Sequence, residues 1–182
     1  MKRDMLTIVL AVLHRELAEY GITDGEIQPD TRYWEIFSST PDPAERLATH
    51  LRLCRALSEA TDARFDASNL GAYPTPQEIA QMADFQLERA IRLRVISTFL
   101  AAGLSATYLT DEDCDPITIP LDDLTTNPQM ELTIGGRLRN ACGIPTLSTQ
   151  IYESATTIGD LVKALKRLKL RQLVRQLATS SP

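Results

Sequence analysis

The feature that most constrains the fold of this 182-residue chain is an internal repeat. Pro41 and Pro128 lie 87 positions apart, and at the same spacing many apolar residues of the first half match apolar residues of the second. The matched pairs include Leu6 and Leu93, Ile8 and Val95, Val12 and Phe99, Leu47 and Ile134, and Leu51 and Leu138. A long repeat is typical of a duplicated folding unit, so the sequence predicts domains at residues 1–87 and 88–182.

Helical periodicity runs through both copies. Apolar residues between Leu6 and Tyr20 recur every three or four positions, which favours a core-facing amphipathic helix over a signal peptide. Neither proline nor glycine occurs between Gln77 and Ala102, so the last helix of copy one should continue into the first helix of copy two. Further helices are predicted at 41–60 and 128–141, with single turns at 67–71 and 148–152. The predicted fold class is therefore all-α.

Two short segments predict helix starts. Thr75 to Glu78 and Thr157 to Asp160 each combine a threonine with an acidic residue three positions later. In such a capping box the threonine oxygen accepts a backbone N–H, and the acidic side chain reaches back to the threonine. The two boxes lie 82 positions apart, so the first copy is expected to be five residues longer after its second helix.

Several segments resemble those of acyl and peptidyl carrier proteins. In copy two they are Met130–Leu132, Gly143–Pro145 and Thr156–Leu165, and in copy one residues 63–82 are similar to the final third of a peptidyl carrier. The resemblance implies two tandem carrier-like helical bundles joined through a long shared helix. It also implies a protein that presents helix surfaces to partner proteins, with enzymes of a thioester pathway as the expected class.

A carrier holds its phosphopantetheine arm on a serine at the start of the second helix. The resemblance places Thr126 at that position in copy two, and the 87-residue spacing places Ser39 there in copy one. Neither residue has the aspartate and leucine neighbours usual in the family. Thr40-Pro41 and Asn127-Pro128 instead have the pattern of a helix cap followed by a first-turn proline. We therefore expect a docking protein without a cofactor; the alternative is a working carrier that tethers acyl or aminoacyl groups on Ser39.

The last predicted helix is strongly basic. Its cationic residues are Lys163, Lys166, Arg167, Lys169, Arg171 and Arg175, with no acidic residue among them. Such a segment can bind a partner protein or a second copy of the chain, or it can pack on the core through its leucines. Binding to nucleic acid or to a membrane is a less favoured alternative. For nucleic acid, the segment has no aromatic residue on which a base could stack.

Other chemistry is not indicated. A net charge of -5 gives no general attraction for nucleic acid, and no acid, base and nucleophile can be assembled into a catalytic group, so no enzyme is expected. The acidic stretch 111–123 lacks the spacing of a calcium loop, so no metal site is predicted. His14 and His50 are expected at the surface, and Cys54 and Cys142 in the core. Scattered cysteines favour a reducing cytoplasm.

Overall fold

The regular secondary structure of the described part of the chain is helical. The computed structural model describes residues 2–22, 26–32, 42–71, 75–102, 118–121, 128–145, 151 and 155–180. Within these ranges there is no β-strand, and the bridge between Pro120 and Thr157 is an isolated one. The all-α prediction is confirmed. No helix among the described residues combines the length and the apolar character needed to cross a bilayer.

The helices of the described residues follow one another in a simple order. They are α1 (Lys2–Leu17) with a 3₁₀ turn at Ala18–Tyr20, α2 (Pro43–Thr61), α3 (Ala67–Gly71), α4 (Pro76–Ala101), α5 (Pro128–Cys142) and α6 (Ile158–Ser180). The unbroken α4 confirms the predicted long helix. Of the predicted turn at 148–152, only Ile151 lies within the described residues, and it is helical.

The start of α2 differs from the prediction. Its N-cap is Asp42, whose Oδ1 accepts the N–H of Ala44 at 2.9 Å, and Pro43 occupies the first turn. The described helix therefore starts at Pro43 and not at the predicted Pro41, and Thr40 and Pro41 themselves lie outside the described residues. An aspartate before a proline meets the same requirement two residues later, because the carboxylate satisfies a free N–H and proline has no N–H to leave unpaired.

The chain divides into two compact units. The first comprises Met1–Leu87 with Leu173–Pro182, and the second comprises Glu88–Gln172. One boundary falls within α4 and the other within α6, so each of these two helices contributes residues to both units.

In the first unit, α1 packs on α2. The side of α1 that carries Met5, Ile8, Val9, Val12, Leu13 and Leu17 is at most 1% exposed, which confirms the core-facing helix. Opposite it, α2 buries Leu53, Cys54 and Leu57. The prediction of a buried Cys54 is confirmed, and burial together with the nearby Asp66 carboxylate raises the pKa of its thiol.

Arg52 of α2 holds the two helices together at the edge of this core. Its Nη1 donates to Glu19 Oε2 at 2.8 Å, and its Nη2 donates to the Glu16 carbonyl at 2.9 Å. Partial burial would lower the pKa of Arg52, but the hydrogen bond and charge of Glu19 outweigh it, and the pKa is raised. Beside it, the hydroxyls of Tyr20 and Thr49 share a hydrogen bond.

His50 is buried in the same unit, only 8% exposed. Its Nε2 lies 3.2 Å from the Ala67 carbonyl, at the start of α3. The predicted surface position is wrong, because the ring supplies a polar contact that links α2 to the next helix. His14 is half-buried, and its Nε2 lies 3.3 Å from the Ile27 carbonyl.

In the second unit, the later part of α4 packs with α5 and α6. The fully buried side chains described there include Ile91, Val95, Phe99, Ile134, Leu138, Ile158, Leu161 and Leu165. Cys142 is 1% exposed, which confirms its predicted place in the core. Two backbone hydrogen bonds join residues 119–121 to the start of α6, from Leu121 N–H to the Thr156 carbonyl at 2.9 Å and from Ile158 N–H to the Ile119 carbonyl at 3.1 Å.

Burial corrects the register of the repeat in the second helices. Leu47 and Leu51 are 57% and 53% exposed, whereas Ile134 and Leu138, their counterparts at a spacing of 87, are fully buried. Buried residues instead match at a spacing of 81: Leu53 with Ile134, Leu57 with Leu138, Thr61 with Cys142, and Leu70 with Ile151. At the same spacing both helices end in a left-handed residue, Asp62 at φ 55° and Gly143 at φ 60°. The extra residues of copy one therefore precede the buried half of α2.

Both predicted capping boxes are formed. Thr75 Oγ1 accepts the Glu78 N–H at 3.3 Å, and Glu78 Oε2 accepts the Thr75 N–H at 3.1 Å. Thr157 Oγ1 accepts the Asp160 N–H at 3.1 Å, and its hydroxyl donates to Asp160 Oδ2 at 3.0 Å. The 82-residue spacing of the boxes also matches buried residues, since Ile79 and Leu161 are both fully buried, as are Ala83 and Leu165.

Candidate functional site

The basic helix α6 begins at a well-defined place. The hydroxyls of Thr156 and Thr157 donate to Asp160 Oδ2 at 2.8 and 3.0 Å. These hydrogen bonds, only partly opposed by desolvation, hold the pKa of Asp160 below its ordinary value, and the nearby Lys163 acts in the same direction. An ionised carboxylate is favourable there, because the first turn of a helix carries free N–H groups and a partial positive charge.

The apolar side of α6 lies in the interior. Ile158, Leu161, Leu165, Leu170 and Leu173 are each at most 4% exposed. Packing on the core, one of the interpretations of this helix from its sequence, is therefore confirmed for Leu161, Leu165, Leu170 and Leu173, whereas Leu168 and Leu177 are half-buried. The remaining question is where the six cationic side chains lie.

Lys166 is not on the surface. It is 2% exposed, and its Nζ lies 2.7 Å from Glu88 Oε2. The prediction that Lys166 faces a partner is therefore corrected: its turn of the helix faces the interior, where the aliphatic stem packs and the carboxylate neutralises the ammonium. No sequence pattern indicated this pairing, because 78 residues separate the two partners.

Lys169 is half-buried near the end of α5. A methyl group added at Gly143 would lie 3.5 Å from its Nζ. Gly143 closes α5, where its N–H donates to the Asn140 carbonyl at 3.2 Å and the Ile144 N–H donates to the Arg139 carbonyl at 3.0 Å. A cation near a helix C-terminus is stabilised by the carbonyl dipoles, so Lys169 has a structural role within the second unit.

The other cations of α6 are exposed and regularly spaced. Lys163, Arg167 and Arg171 follow one another at intervals of four residues, and we call these three residues the basic face. Each step of four residues advances about 6 Å along a helix and about 40° around it, so the three charges form a slanted row about 12 Å long. Arg175 continues the spacing and is also exposed. Lys163 Nζ lies 3.6 Å from Asp160 Oδ1, at the N-terminal end of the row.

The remaining predicted positions cannot be placed beside this face. Ser39, Thr126 and most of the acidic stretch 111–123 lie outside the described residues. Across the described part of the chain, no three His, Cys, Asp or Glu side chains come together in a group that could hold a metal ion.

A shallow groove of about 500 Å³ lies between α4 and α5 in the second unit. Its lining includes Leu93, Arg94, Ser97, Thr98, Arg137 and Asn140. The hydroxyls of Ser97 and Thr98 donate to carbonyls of their own helix, and Arg137 Nη1 donates to the Ala101 carbonyl at 2.6 Å. These polar groups are hydrogen-bonded to carbonyl groups of α4, so the groove presents no arrangement typical of catalysis.

No protein-family model matches the chain, and neither a curated protein nor a solved structure matches it.

Proposed function

We propose that this chain is a non-enzymatic docking protein of the acyl and peptidyl carrier lineage, which binds an acidic protein partner through the basic face and carries no prosthetic arm. The observation that carries the proposal is that some of the six cations of α6 lie in the interior and others lie on the surface. Lys166 and Lys169 have internal roles, whereas Lys163, Arg167 and Arg171 lie on the exposed side in one row.

The carrier lineage is supported by features that recur in each unit. Both capped helices begin with a threonine box, and both are bonded near their start to the segment that follows a long helix. Gln77 N–H donates to the Pro29 carbonyl at 2.9 Å, and Ile158 N–H donates to the Ile119 carbonyl at 3.1 Å. Together with the buried residues that repeat at spacings of 81 and 82, these contacts favour a duplicated unit.

An acidic protein fits the basic face better than a lipid surface does. A helix that binds a bilayer inserts its apolar side among the acyl chains. The apolar side of α6 is already buried, with Leu161 and Leu165 fully inaccessible. Nucleic acid is also less favoured, because α6 has no aromatic side chain on which a base could stack. Arginine and lysine in a row complement carboxylates on a partner helix, and they accelerate encounter at low ionic strength.

The burial register supports the absence of an arm. The arm on Ser39 was inferred from a spacing of 87, but the buried residues of the second helices match at 81. That spacing pairs Thr126 with Glu45, which has no hydroxyl. We therefore expect no mass gain when the full chain is incubated with coenzyme A and a promiscuous phosphopantetheinyl transferase. A gain that is lost in Ser39→Ala would establish the alternative, a working carrier.

Site-specific photo-crosslinking in cells tests the docking proposal. A photoreactive amino acid at position 171 should capture a partner that the same group at position 89 does not, since Arg89 is an exposed arginine of α4 outside the basic face. The captured protein is then purified and its affinity for the full chain is measured against salt.

The triple variant Lys163→Glu, Arg167→Glu, Arg171→Glu should weaken that affinity by about 30-fold, since three exposed pairs at about 0.7 kcal/mol each contribute about 2 kcal/mol. Arg89→Glu should leave it unchanged. Capture that is equal at both positions, or affinity that is insensitive to salt, would refute the proposal. Steeply salt-dependent binding to duplex DNA without a protein partner would favour the nucleic-acid alternative.

A further inference from the structure

A second surface lies on α2, in the first unit. Ala44, Leu47, Ala48 and Leu51 occupy positions i, i+3, i+4 and i+7, and we call them the α2 stripe. All four are exposed, and the two leucines are 57% and 53% exposed. This spacing places the four side chains on one side of a helix. The core-facing side of α2 is a different one, which carries Leu53 and Leu57.

Oppositely charged residues flank the two ends of the α2 stripe. Glu45 lies near its N-terminal end and Arg55 lies beyond its C-terminal end, ten residues later. Arg55 is paired with Glu59 one turn further on, at 2.9 Å, with side chains 82% and 67% exposed. A pair so exposed contributes little, so Arg55 can exchange this partner for another carboxylate.

We infer that the α2 stripe is the interface of a homodimer in which two copies of α2 pack antiparallel. A two-fold axis between the helices sets Leu47 of each copy against Leu51 of the other. The same axis brings Glu45 of one copy near Arg55 of the other. Their positions along the helix axis differ by only about 3 Å. Two such cross pairs form, one at each end, as an isologous interface requires.

The charges select this arrangement over the parallel one. In a parallel pair of helices each Arg55, which lies eleven residues after Ala44 and so on the same side of α2, would face Arg55 of the other copy, and like charges in register oppose association. Ala44 and Ala48 are small, so the two helices can approach closely between the leucines. The inference goes beyond the proposed function, because it concerns a different helix and a second copy of the chain.

Sedimentation equilibrium of the full chain, at about 1 to 100 μM, tests the dimer. Leu47→Glu and Leu51→Glu should each weaken self-association by about tenfold or more, as expected when a buried leucine contact is lost. Leu132→Glu is the matched control: Leu132 is a 61% exposed leucine of α5, and its replacement should leave the dimer intact. Circular dichroism should be unchanged in all three, since these side chains are exposed in the single chain.

A charge exchange tests the antiparallel arrangement. Glu45→Arg and Arg55→Glu should each weaken the dimer by about threefold to tenfold, and the double variant should restore most of the affinity. A chain that stays monomeric at the highest concentration would overturn the inference. So would a dimer that Leu132→Glu weakens as much as Leu51→Glu does, or one that the double variant fails to restore.

Discussion

The contact between Lys166 and Glu88 gives the sharpest test of the core of the second unit. Lys166 is 2% exposed, whereas the Glu88 side chain is 54% exposed, so the ammonium group is buried and the carboxylate is still partly hydrated. Glu88→Gln keeps the shape but removes the charge that neutralises the buried ammonium. Breaking a fully buried pair costs about 3 to 5 kcal/mol, and an exposed pair about 0 to 1 kcal/mol. We expect about 2 kcal/mol for this half-exposed pair, because solvent screens the Glu88 carboxylate.

Lys166→Met should behave differently. Methionine keeps most of the buried stem and removes the need for a counter-charge, so the free energy of unfolding should change by less than about 1 kcal/mol. Glu88→Gln should therefore lower the free energy of unfolding more than Lys166→Met does. This order is expected even though Lys166, and not Glu88, is the buried residue.

Calorimetry and urea unfolding measure both variants beside Glu59→Gln, which breaks the exposed pair of Arg55 and Glu59. The control should lose less than about 0.5 kcal/mol. For a chain of this size, a 2 kcal/mol loss lowers the melting temperature by about 4 to 8 °C. The reasoning fails if Glu88→Gln costs no more than the control, or if Lys166→Met costs more than Glu88→Gln.

Two further predictions concern helix ends. Because the pKa of Asp160 is lowered in the folded chain, its carboxylate stabilises the fold at pH values above the ordinary pKa of aspartate. This stabilisation is lost as the pH falls through the lowered pKa. Asp160→Asn should therefore reduce stability at pH 7, with a difference from the parent chain that shrinks below about pH 4 in pH-dependent unfolding; a constant difference down to pH 2 would contradict this. Gly143→Ala should cost about 1 kcal/mol in urea unfolding, because φ is 60° there and an alanine in that conformation is strained. Asp62→Gly, at the matching end of α2, removes the same backbone strain and should therefore cost less than Gly143→Ala does, and an equal loss would refute the argument.

Local signals in the sequence were the most informative. The capping boxes at Thr75 and Thr157 were predictable because a cap needs residues only three positions apart, and both are formed. The unbroken α4 was predictable from the absence of proline and glycine. The register of α2 was not, because this helix has apolar residues on two sides, and residue type alone does not distinguish the buried Leu53 from the exposed Leu51.

The sequence predicted the basic face only in part, again because residue type alone does not show which side chains are buried. Charge alone grouped Lys166 with Arg167, although neighbouring positions on a helix point about 100° apart. Periodicity places Lys166 on the leucine side, but its ion-pair partner Glu88 lies 78 residues away in the sequence. The exposed row of Lys163, Arg167 and Arg171 needed only the helical period. The contact between residues far apart in the sequence was therefore not predictable from the sequence.

The continuity of α4 has a consequence for dissecting this protein. One of the two boundaries between the units falls at Leu87 and Glu88, inside a helix that runs from Pro76 to Ala101. A fragment that ends at Leu87 would leave the last four carbonyls of its helix without the N–H donors of residues 88–91. A protease needs an extended segment, which a regular helix does not offer at that point. Separately expressed halves should therefore fray at the cut, and limited digestion should cleave elsewhere in the chain.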